Sequence, residues 1–445
     1  MNEQAFFIRQ LLSGAADVGA LLPCSRFSGR AMVSELERRQ GPANILEVGS
    51  GTGPITAEIV KVMEPGDRLT VCDLNPEFMD FLRQRFETEP DFAAVRERVS
   101  FRTMSVTELD EPEPFDYIIS TLPFTRLPLE LTEGIIKQYR QMLKPDGVLS
   151  YIEYAWLRKL KQTLVGYDQS VSTLIDPLLA QHEFRRDTIL RNVPPAWVHH
   201  LRFNQASPAH AAQLDPLRHT NRVRLGKFSF DTDAVPFIAG AGALAWLWQK
   251  LAPRSLKPLA LLPLAGAGLA TIFLRDPRRN VPAPDEMQNA VLAACDGRVL
   301  AIENISTDHF ANETGVHEWL RISTFLDITD VHINRAPIAG KVLQVWHEDG
   351  GYAIASTAAA EHNVATYTVI EGAHGGYCVV AQRVGAVARR IVNRAKPGTL
   401  LARGDKFGLI RFGSRTDVYL PAATATALVQ PDDYILGGQT EIAQM

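Results

Sequence analysis

Asn44-Ile45-Leu46-Glu47-Val48-Gly49-Ser50-Gly51-Thr52-Gly53 is a short apolar run that ends in three alternating glycines. It predicts a strand turning directly into a helix over Ile55 to Val62. Glycine serves where a chain turns tightly and where a ligand approaches the backbone, and the first helical turn that follows offers free N–H groups. The spacing is G-x-G-x-G, not the G-x-G-x-x-G of dinucleotide folds. A second strand, Arg68 to Cys72, runs into Asp73, 22 residues after Gly51. An acid at that remove is placed to accept hydrogen bonds from ribose hydroxyls. Strand-like and helical patterns alternate from here to about residue 200, which predicts an α/β domain.

Outward from that stretch, the chain has 445 residues, 46 basic and 50 acidic side chains, 22% charged and 46% hydrophobic residues. This composition excludes a disordered chain, a collagen-like repeat and a heptad fibre, and the length predicts several domains. A net charge of −4 argues against a nucleic-acid partner bound through a global basic field. Cys24, Cys72, Cys295 and Cys378 stand apart with no CxxC, so neither a metal site nor a disulfide framework is predicted. The first residues lack the basic and apolar regions of a secretory signal, which predicts a cytosol-facing protein.

Residues 203–234 lack a sustained period and read as a linker after a domain spanning 1–202. Two uncharged apolar runs follow, 235–248 and 259–274, each shorter than the ~20 residues that cross a bilayer core. Lys250, Arg254 and Lys257 lie between them, and Arg275, Arg278 and Arg279 follow them. A membrane-inserted hairpin or interfacial anchor over 235–280 fits these basic flanks; a pair of buried core helices is the alternative. From 281 to 445 short strands punctuated by Gly and Pro predict a β-rich barrel or sandwich.

Glu47 to Gly53 together with Asp73 resemble the S-adenosylmethionine-dependent methyltransferases of the Rossmann-like class. The resemblance implies that Gly49, Gly51 and Gly53 surround the methionine part of S-adenosylmethionine, that Asp73 holds its ribose, and that Glu47 and Ser105 belong to the same cofactor-binding set. Ser105 stands where many relatives carry an acid near the adenine. Phe7 to Leu12, Val18 to Arg26 and Phe115 to Phe124 are similar to bacterial phospholipid N-methyltransferases, which methylate phosphatidylethanolamine. That resemblance places Ser120 at the amine-binding corner. Taken by itself, Ser120 to Phe124 is a strand ending at Pro123. Trp156 to Lys161 could lie on anionic lipid or form a solvated basic face.

Asp296-Gly297, Asp330 to Gly340, Val387 to Ile391 and Ile410 to Pro421, with Phe273 to Arg279 ahead of them, resemble the short-form phosphatidylserine decarboxylases. The resemblance implies a proenzyme that cuts itself between Gly413 and Ser414. Ser414 becomes a pyruvoyl group that forms a Schiff base with the substrate amine, and Asp296, His332 and Ser414 form a catalytic triad in which Asp296 orients His332. Arg335 occupies a position where longer relatives carry another histidine. Both cleaved chains are expected to stay associated, and a homo-oligomer is compatible with the sequence.

Together the two resemblances imply a bifunctional enzyme on the cytoplasmic face of the cell membrane, acting on phospholipid substrates with two cofactors, a pyruvoyl group and S-adenosylmethionine. Other readings stay open. The first domain could methylate an rRNA adenine or a small amine, or only bind the cofactor, and the second could be a non-catalytic binding barrel.

Overall fold

The computed structural model describes residues 24–155, 171–217, 221–282, 289–386, 390–411 and 414–445. They divide into two compact units, Met1–Ala206 and Ser207–Met445. Residues 7–12, 18–23, 156–161, 387–389, Phe412 and Gly413, all used above, lie outside the described residues.

The first unit is built on a seven-stranded sheet: β1 (Asn44–Val48), β2 (Arg68–Asp73), β3 (Val99–Thr103), β4 (Phe115–Ser120), β5 (Leu143–Tyr154), β6 (Glu183–Ile189) and β7 (Ala196–Leu201), in the order β3-β2-β1-β4-β5-β7-β6. β1 to β5 are parallel, and β7 runs antiparallel between β5 and β6. Helices α1 (Pro54–Val62), α2 (Pro76–Thr88) and α3 (Leu129–Met142) connect the parallel strands. Parallel strands must be covered on both faces, and alternate residues of β1 supply one core each. Ile45 packs with Ile55 and Leu82, while Leu46 and Val48 pack with Ile135 and Tyr139. This is the Rossmann-like architecture expected. Asn75 starts α2 by accepting from the Glu77 and Phe78 amides, with Pro76 as its first residue.

The second unit is β-rich. Its strands are β8 (Arg222–Leu225), β9 (Phe228–Asp231), β10 (Ala290–Leu292), β11 (Gly297–Ser306), β12 (Glu318–Leu326), β13 (Ile333–Arg335), β14 (Gly340–Glu348), β15 (Ala365–Gly372), β16 (Tyr377–Val384), β17 (Arg390–Asn393), β18 (Leu400–Leu401), β19 (Lys406–Arg411), β20 (Ser414–Pro421), β21 (Thr426–Ala427), β22 (Tyr434–Ile435) and β23 (Glu441–Gln444). The largest sheet has the order β18-β14-β15-β16-β20-β12-β11-β22, and two smaller sheets run β13-β19-β17 and β10-β23-β21. β20 is central, paired antiparallel with β12 on one side and β16 on the other.

A chain of buried amides joins the small β13-β19-β17 sheet to the large one. Asn334 Nδ2 donates to Thr416 Oγ1 at 2.9 Å, Gln382 Nε2 donates to Asn334 Oδ1 at 2.8 Å, and Asn393 Nδ2 donates to Gln382 Oε1 at 3.0 Å.

The stretch 203–234 is not a linker. The second unit begins at Ser207, and β8 and β9 form a hairpin within it. Asp231, fully buried, accepts from Arg394 at 2.7 Å and Lys406 at 3.2 Å. Burial alone would raise its carboxyl, but Lys406 and Arg394 hold it at about 2. Each strand has only four residues, too few to carry a sustained period, which is why the sequence hides them.

The apolar segment forms α4 (Val235–Leu251), a 3₁₀ stretch (Arg254–Ala260) and α5 (Leu261–Phe273). Trp248 Nε1 donates to the Leu256 carbonyl at 2.8 Å and closes the hairpin. α4, with 17 residues, is as short as expected. The second run is longer than its apolar residues suggest, because helical structure starts at Arg254. Arg254–Phe273 has 20 residues and, by length and composition, is long and apolar enough to cross a membrane. Trp246, Leu262 and Leu269 are each more than 60% exposed, so these helices are not core helices.

Asn334→Ala is expected to destabilise the second unit by about 2–4 kcal/mol, because it strands buried partners on Gln382 and Thr416. Urea unfolding would read the loss.

Candidate functional site

In the first unit the site grows from the end of β1. Gly49, Gly51 and Gly53 have φ of +77°, +54° and +86°, a conformation side chains resist. A Cβ on Gly49 would lie 3.0 Å from Thr121 Oγ1, whereas one on Gly51 would enter open space. The Gly51 position is therefore where a ligand can approach the backbone. The Gly51 amide donates to Asp73 Oδ2 at 2.8 Å and the Asn75 amide to Oδ1 at 2.9 Å. Burial outweighs these bonds and holds the Asp73 carboxyl above its ordinary range.

Glu47 is wholly buried, and among the described residues neither carboxyl oxygen has a hydrogen-bond partner of normal geometry. Burial, with Asp73 nearby, pushes its carboxyl up to about 8, against the opposing effect of Thr56. An unpaired buried acid beside an open glycine turn suits a cationic ligand group, and S-adenosylmethionine carries a sulfonium and an ammonium. These residues therefore fit that cofactor.

Ser105 lies just beyond β3, next to Met104, whose amide donates to the Asp73 carbonyl at 3.2 Å. Its hydroxyl contacts the Thr107 hydroxyl at 2.7 Å. Ser120 is a correction. Its side chain is fully buried, and its hydroxyl accepts from Tyr139 OH at 2.9 Å and from the Leu122 amide at 3.3 Å. Buried against Tyr139 of α3, it offers no exposed hydroxyl at the strand end. The next residue, Thr121, ties β4 to the glycine turn: its amide donates to the Val48 carbonyl at 3.0 Å and its hydroxyl donates to the Gly49 carbonyl.

In the second unit, Ser414 is the first residue of β20, in register with Leu326 on β12 and Val384 on β16. It is 0% exposed, and its Oγ has no hydrogen-bond partner among the described residues. His332 immediately precedes β13, and its carbonyl accepts from the Ile410 amide at 3.1 Å. Its Nδ1 lies 3.0 Å from the Asp330 carbonyl. A carbonyl only accepts, so Nδ1 carries the proton and Nε2 the lone pair. The Phe273 ring, at the end of α5, lies 4.0 Å from the imidazole, centroid to centroid. Burial, helped by Arg275 and opposed by Asp330 and Asp327, lowers the His332 pKa to about 4.

Asp296 does not orient His332. Its Oδ1 accepts from the Gly437 amide at 2.9 Å and its Oδ2 binds Arg279. Burial outweighs Arg279 and the amide and holds this carboxyl above its ordinary range. Arg279, six residues past the end of α5, has captured the acid, and the backbone of Asp330 orients the histidine. Asp330 is in turn held by Tyr434 OH at 2.7 Å and the Asp327 amide at 2.8 Å. Phe273, Arg279 and Asp330 all lie in quoted motifs, but nothing in the sequence gave them these roles. Asn334 and Thr416 stand two residues after His332 and Ser414, so their bond ties the two strands that carry those side chains. Among the described residues no cluster of His, Cys, Asp or Glu could hold a metal ion.

Comparison with known proteins finds a match in each unit. Residues 267–443 match the phosphatidylserine decarboxylase family, and residues 45–147 match a methyltransferase domain. The chain is 39% identical over 214 residues to the phosphatidylserine decarboxylase proenzyme of Nitrosomonas europaea, covering 47% of this chain and 92% of that protein. It is 37% identical over 208 residues to the proenzyme of Geobacter metallireducens, covering 46% and 92%. Among solved structures, the N-methyltransferase NodS of Bradyrhizobium japonicum with bound S-adenosylhomocysteine is 20% identical with a TM-score of 0.32, covering 45% of this chain and 98% of that one.

Glu47 gives the cofactor reading a pH signature. A cationic ligand lowers its pKa below about 8, so S-adenosylmethionine binding at pH 7 should release close to one proton and weaken as pH falls below 8. Calorimetry in two buffers of different ionisation enthalpy measures that proton, and Glu47→Gln should abolish it.

Proposed function

Because the chain belongs to the phosphatidylserine decarboxylase family, with a methyltransferase domain fused ahead of that half, we propose that it converts phosphatidylserine to phosphatidylethanolamine and methylates that amine towards phosphatidylcholine. The observation that carries the reading is Ser414, a fully buried hydroxyl with no partner among the described residues, at the head of a central strand. Leaving a buried hydroxyl unpaired costs about 1–3 kcal/mol, and here it keeps the oxygen lone pairs available for attack.

Self-processing follows from these groups. Ser414 Oγ attacks the Gly413 carbonyl carbon while His332 Nε2 takes the hydroxyl proton. The Gly413–Ser414 amide bond breaks, the Ser414 nitrogen regains a proton, and an ester remains. Loss of the Ser414 α-proton and departure of the Gly413 carboxylate form a Cα=Cβ bond. Water then releases ammonia and leaves a pyruvoyl group at the head of β20. That group supplies the carbonyl electron sink a decarboxylation needs. A histidine with pKa near 4 is neutral at pH 7 and ready to accept a proton, and its Nδ1–H anchor on Asp330 fixes the acceptor nitrogen.

The small chain, residues 414–445, stays bound because β20, β21, β22 and β23 all lie in sheets with strands from before the cut. In the first unit Asp73 would hold the ribose of S-adenosylmethionine and Glu47 would balance its positive charge; the bound cofactor would supply the methyl group, and the protein's contribution would be positioning of a neutral amine. The amine made by one half belongs to the class the other half consumes. The exposed apolar faces of α4 and α5, flanked by Lys250, Arg254, Lys257 and Arg275, seat the protein in the membrane that holds its substrate.

Intact mass tests the processing step. Wild type should resolve into residues 1–413 and a 32-residue pyruvoyl chain, whereas Ser414→Ala should stay at 49.2 kDa and His332→Ala should process far more slowly. The rate should be flat from pH 7 to about 5.5 and lost as pH falls through about 4. A wild type that stays whole, or a midpoint near the ordinary histidine value, would contradict the assignment.

A further inference from the structure

Arg411 is the last residue of β19, three positions before Ser414, and its neighbour Ile410 holds the His332 carbonyl. Across the ladder it faces Arg390 of β17. Like charges directly opposite one another destabilise a sheet unless an anion lies between them. The local acids do not answer that need. Asp231 is taken by Arg394 and Lys406. Asp233 is shared between Arg394 and Arg411, at 3.4 Å from each. Arg390 has no ion pair among the described residues, and Arg411 Nε is buried with no hydrogen-bond partner among them. The Arg411 guanidinium also lies 5.3 Å from the centre of the Phe237 ring, in the first turn of α4. A planar cation with an unused N–H therefore lies at the root of the apolar hairpin, on the strand that ends three residues before the reacting serine.

We propose that Arg411, supported by Arg390, binds the phosphodiester of the phospholipid headgroup while its serine amine reaches residue 414. The inference rests on the phospholipid reading above. Phosphate is the better occupant than the substrate carboxylate for a kinetic reason. The carboxylate loses its charge as CO2 departs, so a strong cation there would stabilise the ground state and slow the reaction. The phosphate keeps its charge throughout, and the guanidinium fork matches its oxygens. The hairpin root beside Arg411 is also where the acyl chains attached to that phosphate would enter.

The test uses self-processed full-length enzyme and phosphatidylserine in mixed detergent micelles, with phosphatidylethanolamine as competitor. Phosphatidylethanolamine carries the same phosphodiester and lacks the carboxylate. Arg411→Gln should raise KM by about tenfold to a hundredfold, with kcat falling less than about threefold, and should weaken inhibition by phosphatidylethanolamine by the same factor. Arg411→Lys should fall between it and wild type. If Arg411→Gln does not process itself, Arg411→Lys and the exposed Arg390→Gln carry the test, each expected to raise both constants by about twofold to tenfold. An unchanged KM in the processed variants overturns the proposal. A raised KM with unchanged inhibition also overturns it, because Arg411 would then hold the carboxylate. If wild type releases no CO2 from phosphatidylserine, the functional reading fails first, and that result is distinct from either.

Discussion

The hydrogen bond from Asn334 to Thr416 is the constraint on which the decarboxylase half depends. It crosses from the small sheet to the large one, and Gln382 and Asn393 complete the buried chain. Asn334 follows His332 by two residues, and Thr416 follows Ser414 by two. That hydrogen bond therefore fixes β13, which follows His332 directly, against β20, which begins at Ser414. Buried amides are costly when unpaired; here each is paired, and a one-residue slip of either strand would unpair them.

Both sites use burial to hold a titratable group in its neutral form. His332, beneath Phe273 and inside the fold, is neutral well below pH 7 and can take a proton. Glu47, enclosed behind the glycine turn, is protonated at neutral pH until a cation arrives. The same desolvation lowers one pKa and raises the other, because it always disfavours the charged form. Charge is retained where it has structural partners, as in the Asp231, Arg394 and Lys406 group, and where an anion remains to be bound, at Arg411 and Arg390.

Much of this was legible in the sequence because backbone requirements leave strong local marks. Three alternating glycines at a strand end demanded the turn that is found, and an acid at the end of the next strand met it at Gly51. The motif around Ser414 was equally plain, since the cut needs a particular dipeptide. What the sequence concealed was pairing at long range. Asp296 could have oriented His332, but Arg279 took it, and only the fold shows which neighbour wins. Ser120 sits in a motif that suggests a substrate corner, yet the strand's two-residue period turned it towards Tyr139. The hairpin of β8 and β9 had too few residues to show a period, and the helix from Arg254 began on charged and proline residues that hydropathy does not count.

The proposed function requires one polypeptide to make an amine and then methylate it. The most direct measurement supplies purified protein with vesicles whose only reactive lipid is phosphatidylserine, together with S-adenosylmethionine labelled in the methyl group. Wild type is expected to label phospholipid, Ser414→Ala to label none, and Ser414→Ala to regain labelling when phosphatidylethanolamine is supplied. A wild type that decarboxylates but labels no lipid even with added phosphatidylethanolamine would contradict it, and would give the methyltransferase domain another acceptor.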